Sequence, residues 1–135
     1  MQEDYISAKY HLAVTKRLFE NYGSYSEKRL IVGVINELAR ASSKIIRAYL
    51  LHEKKRQLKD FIETIGLKYL DKLTIDNLVK ILEIERAQKI SPVEFAKGNK
   101  IILLVDSKYK ILTVDRLGEF IESCQKAIER FPRQI

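Results

Sequence analysis

The chain has 135 residues, 46% of them hydrophobic and 32% charged, which reads as soluble and globular, not as a disordered chain, and predicts one domain spanning residues 1–135 with its own core. A formal net charge of +7 favours an anionic partner, of which nucleic acid is the commonest. One cysteine and two histidines exclude an intrachain disulfide and a Cys/His zinc cluster, so neither metal nor cofactor is expected.

The longest purely apolar run, residues 101–105, is too short to span a bilayer, and the first residues carry no basic-then-apolar leader. A cytoplasmic protein with no membrane partner is the expectation. Abundant Lys, Glu and Ile with one Cys, one Met and no Trp is a thermophile-like balance.

In chain order, Tyr5, Ala8, Leu12, Phe19 and Tyr22 repeat at helical spacing and predict a first helix over residues 4–22, closed by Gly23 as its C-cap. His11, between Tyr10 and Leu12, reads as a packed or rim histidine. Ser24 and Glu27 stand at capping-box spacing and predict the start of a second helix. At about 100° per residue, Ile31, Val34, Ile35, Leu38, Ile45, Ile46 and Tyr49 gather on one side of it, while Arg29, Asn36, Arg40, Lys44, Arg47 and Lys54 gather opposite.

No Gly or Pro interrupts residues 34–65, yet one helix over 24–65 would be about 60 Å long, too long for a compact domain of this size. The apolar stripe of Leu58, Phe61, Ile62 and Ile65 also points about 180° from the one before it. A turn or kink near residues 52–56 is inferred; an unbroken helix would need a partner subunit over the second stripe.

A third helix is predicted over residues 57–70, tolerating Gly66, and a fourth capped by Thr74 and carrying Leu78, Ile81 and Leu82. Ser91, Pro92 and Glu94 match a second capping box and predict a short helical turn closed by Gly98. Residues 101–105 and 110–114 are β-prone and predict a hairpin. Leu117, Phe120, Ile121, Cys124, Ala127, Ile128 and Phe131 then predict a final helix stopped by Pro132, with Cys124 in its buried stripe. The expected fold class is mainly α, an antiparallel helical bundle with a short β-hairpin before the C-terminal helix.

Charge is concentrated in one place. Residues 40–59 hold seven basic side chains (Arg40, Lys44, Arg47, Lys54, Lys55, Arg56, Lys59) against Glu53, a local charge of +6. The five glycines are scattered singly, so no loop cradles phosphate, and no histidine pair has metal-ligand spacing. What remains for chemistry is Arg47 with His52. Metal-free RNA cleavage needs a proton-transfer group and a cation on the transition-state phosphate, tasks that suit histidine and arginine.

Arg47-Ala48-Tyr49-Leu50-Leu51-His52 resembles the Arg-x4-His signature of the HEPN family of α-helical bundle domains. The resemblance implies RNA binding and, in many members, metal-independent endoribonuclease activity in a homodimer whose two motifs face a shared cleft. It would give Arg47 the phosphate-stabilising role and His52 the proton-transfer role, and the basic segment around them offers Arg40, Lys44, Lys54, Lys55 and Arg56 as phosphate contacts. Implied partners are RNA, a second copy of the chain, and a nucleotidyltransferase or antitoxin protein. The family often has a polar residue where this chain has Ala48, and residues five apart on a helix diverge by about 140°. A non-catalytic helical adaptor or complex subunit with a basic surface is the alternative.

Overall fold

The computed structural model describes residues 2–25, 27–90, 93–97, 99–105 and 108–132. Its element order is α1 (Gln2–Ser24), α2 (Lys28–His52), α3 (Leu58–Asp60), a π-helical turn (Phe61–Ile65), α4 (Gly66–Tyr69), α5 (Lys72–Ile90), β1 (Val93–Lys97), β2 (Lys100–Val105), β3 (Lys108–Thr113) and α6 (Val114–Glu129). The four long helices pack as an antiparallel bundle, and the strands form one antiparallel sheet in the order β1-β2-β3 between α5 and α6. The mainly helical bundle with antiparallel strands before the last helix follows the periodicities.

Helix α2 is the centre of the core. Ile31, Val34, Ile35, Leu38, Ile45, Ile46 and Tyr49 are all buried, so the apolar face read from the 3.6-residue period is the face that packs. Tyr49 lies at the junction of three elements: it stacks on Phe61 at 5.6 Å, meets the Phe131 ring edge-on at 5.1 Å, and donates its hydroxyl proton to the Ala127 carbonyl at 2.7 Å. Burial pushes its phenol pKa well above the ordinary value.

The chain does break after His52. The Lys54 backbone is left-handed (φ 58°), the Lys55 amide donates to the Leu50 carbonyl at 2.8 Å and the Lys54 amide to Leu51 at 3.1 Å, the paired bonds of a Schellman closure. The turn explains the phase reversal beyond it. Phe61 and Ile65 point into the same core as α2, so this chain covers most of the second stripe, leaving Leu58 40% exposed. The π-helical turn follows α3 directly, and at its end Gly66 makes a close approach. A Cβ there would lie 2.8 Å from the Phe61 carbonyl oxygen and 2.9 Å from Ile75 Cδ1.

Four local expectations are corrected. Gly23 is helical and α1 runs to Ser24, because Tyr22 is buried and the Tyr25 amide still bonds back to Asn21. The first capping box does not form, since Glu27 is the N-cap of α2 and no side-chain cap bond is made there. Thr74 lies inside α5, and Asp71 caps it by accepting the Thr74 amide at 2.9 Å.

Residues Ser91, Pro92 and Gly98 of the second box lie outside the described residues, but Val93–Lys97 is a strand rather than a helical turn. So short a segment cannot offset helix nucleation, whereas pairing with β2 satisfies its backbone. The hairpin itself lies at β2 and β3, and Val114 opens α6, capped by the Thr113 hydroxyl accepting from the Arg116 amide at 3.1 Å.

Candidate nucleic-acid interface

Because the inner face of α2 is apolar, its polar residues lie along two shoulders, one toward α1 and one toward α5. On the α5 side the helices leave a groove made of two adjoining concavities. The larger, about 580 Å³, is lined by Ile46, Arg47, Leu50, Lys55, Arg56 and Leu58 among others. The smaller, about 440 Å³, includes Asn36, Arg40, Glu85, Gln88 and Lys89. Ser43 and Leu82 line both, so the two adjoin. The lining carries five cations, Arg40, Arg47, Lys55, Arg56 and Lys89, against the single carboxylate of Glu85, which Lys89 already meets at 2.6 Å. Such a concentration of one sign in a concave surface raises the local potential toward anions.

The turn after α2 shapes the larger concavity. By reversing the chain at Lys54, the Schellman closure puts Lys55, Arg56 and Leu58 across the end of α2 beside Arg47. Lys54 itself is exposed and does not line the groove.

The opposite shoulder of α2 is partly neutralised. Asp4, from the first turn of α1, lies 3.5 Å from Arg47 Nε and 3.7 Å from Lys44 Nζ, and Glu37 lies 3.1 Å from Arg40. Glu37 also accepts from His11 Nδ1 at 2.6 Å, which makes His11 a half-buried, carboxylate-paired rim histidine. Thus the basic stripe is a single sequence feature divided between two settings: Lys44 against α1, Lys55 and Arg56 on the groove, with Arg40 and Arg47 reaching both.

His52 has other neighbours. It is half-buried at the end of α2, its ring edge-on to Phe131 at 6.0 Å, and it is not among the groove residues. Arg47 and His52 therefore leave α2 in directions about 140° apart. Next to His52, Glu53 is held below the ordinary carboxyl range by its hydrogen bond from Lys68 at 2.9 Å, with a weaker contribution from His52.

Cys124 is fully buried, and desolvation pushes its thiol up to about 12, so it is no nucleophile. Among the described residues no group of His, Cys, Asp or Glu could hold a metal ion, and no helix is long and apolar enough to cross a membrane.

Sequence reasoning missed the α5 wall of the groove. Leu82, Glu85, Gln88 and Lys89 recur at helical spacing, a detectable signal, but only the packing of α5 on α2 shows which face they share. It also missed Asp4, forty residues from the cations it meets. No protein-family model, curated protein or solved structure matches the chain.

Proposed function

We propose that this protein is a HEPN-like RNA-binding bundle that holds the phosphate backbone in the groove between α2 and α5. The observation that carries the reading is the lining of that groove: Arg40, Arg47, Lys55, Arg56 and Lys89 surround it, with Glu85 the one acidic side chain among them and already paired. Guanidinium and ammonium groups spaced along a concave seam suit a polyanion, and their contacts with phosphate are largely independent of sequence.

On this reading a single chain binds RNA and does not cut it. Cleavage needs the Arg47 cation and the His52 imidazole at one phosphate, and within one chain they have different neighbours. Only a homodimer that brought Arg47 of one copy to His52 of the other would assemble the pair. Titrating labelled single-stranded RNA into the protein at low salt tests the binding claim, and absence of binding would remove it. Incubation with RNA in EDTA beside His52→Ala tests cleavage. Equal background cutting by both is the expected result; cutting by the unmodified chain alone would install the homodimeric ribonuclease instead.

A further inference from the structure

The larger concavity is more than a cationic surface. Its floor is aliphatic: Ile46 and Leu50 are buried, and Leu82 is half-buried. Leu51 and Leu58 stand at its mouth with 39% and 40% of their surface in water. Around this apolar cup are Arg47, Lys55 and Arg56, with no carboxylate in the lining. A bare polyanion would use the cations and leave the leucines wet. An uncharged apolar ligand would use the leucines and leave Lys55 and Arg56 without counter-charge, with Arg47 shared only with Asp4.

From this combination the geometry points to a pocket for one unpaired nucleotide, the base lying on the aliphatic floor and its phosphate against Arg47, Lys55 and Arg56. The inference rests on the RNA-binding reading and names the form of RNA. Three properties favour a nucleotide. A base has an apolar face and brings its own anion at short range, matching a cup whose apolar and cationic residues are contiguous. The cavity, about 580 Å³, accommodates a group of that size. It adjoins the second concavity at Ser43 and Leu82, where Arg40, held on one side by Glu37 at 3.1 Å, offers its remaining guanidinium donors to a neighbouring phosphate and Gln88 carries an amide group able to meet a base edge. A chain of nucleotides can occupy both; a single small anion cannot.

A duplex keeps its bases stacked inside and cannot bring one to the floor, so the pocket selects single strands. The mouth leucines carry this selectivity and the cations do not. Because Leu51 and Leu58 are already substantially exposed, replacing them leaves the core intact.

The test is fluorescence anisotropy on the full chain with four labelled probes of comparable charge: a single-stranded oligoadenylate, a duplex RNA of half that length, polyphosphate and polyglutamate. The single strand is expected to bind tightest. The double variant Leu51→Ser, Leu58→Ser is expected to weaken the single strand by about tenfold, the loss of one well-seated base, while leaving polyphosphate unchanged. Leu58→Met, which keeps the apolar mouth, is expected to retain single-strand affinity, and circular dichroism of each variant confirms the fold. If duplex or polyglutamate binds as tightly as the single strand, or if the leucine variant weakens all probes equally, the nucleotide pocket is wrong while the cationic groove stands. If no RNA binds at low salt, the RNA-binding reading itself fails.

Discussion

The Lys55 amide donates to the Leu50 carbonyl at 2.8 Å, and this one bond both ends α2 and sets the position of the basic residues that follow. The closure requires the intervening Lys54 to hold a left-handed backbone at φ 58°, a conformation that costs a side-chain-bearing residue roughly 1 kcal/mol relative to glycine. Lys54→Gly is therefore expected to raise stability in urea by up to about 1 kcal/mol, without weakening RNA binding, since Lys54 does not line the groove. A loss of stability would mean that the Lys54 side chain holds the turn.

Asp4 competes with the ligand for the cations of α2. It lies within 3.7 Å of Lys44 Nζ and 3.5 Å of Arg47 Nε and is itself buried. Asp4→Asn is expected to tighten RNA binding about 3-fold at low salt by releasing Arg47, the one of the two cations that lines the groove, while costing about 1 kcal/mol of stability through the lost pairing and the lost carboxylate at the N-terminus of α1. Unchanged affinity at equal ionic strength would show that Arg47 does not contact the RNA.

The close approach at Gly66 makes a stability prediction. A Cβ there would meet the Phe61 carbonyl at 2.8 Å, a backbone atom that cannot swing aside, as well as Ile75 Cδ1 at 2.9 Å. Gly66→Ala is expected to destabilise by about 2 kcal/mol despite its better helix propensity, read as a lower urea midpoint. A stabilised variant would show that the π-helical turn can relax around the added methyl group.

Acid should weaken the start of α5 before the rest of the bundle. Hydrogen bonds from the Thr74 hydroxyl and amide, then Lys126, hold the Asp71 carboxyl at about 2. A carboxyl depressed by folding contributes stability that is complete above its unfolded value near 4 and lost as the pH falls toward 2. Stability measured from pH 6 to pH 2 should fall more steeply over that window in the parent chain than in Asp71→Ala, which lacks the cap throughout. Parallel curves would remove Asp71 from the acid response.

The helices were legible wherever their burial is periodic. Ile31 to Tyr49 on α2 and Leu117 to Phe131 on and just beyond α6 occupy the faces that their spacing assigns, because one wide apolar stripe per helix admits one inward orientation. Caps were less legible. Ser24 and Glu27 have the spacing of a capping box, but α1 runs on to Ser24, and Asp71 supplies the cap that Thr74 was expected to give. Val93–Lys97 was not legible as a strand because local capping chemistry says nothing of the β2 partner that follows it. For the site, the cations on and after α2 were visible as a charge cluster, whereas the α5 wall and the mouth leucines depend on which helix faces which.

The central claim is that the groove, and not net charge alone, binds RNA. It is tested most directly by the salt dependence of single-stranded RNA affinity in two variants of equal charge, Lys55→Ala with Arg56→Ala in the groove, and Arg17→Ala with Lys28→Ala on exposed positions outside it. Each phosphate contact contributes about 0.7 to the magnitude of the log–log slope for single strands, so the groove variant should lose about 1.4 and bind at least about tenfold more weakly at low salt, with the other variant close to the parent. Equal losses in the two variants would contradict the account, leaving a diffuse basic surface with no seat for the strand.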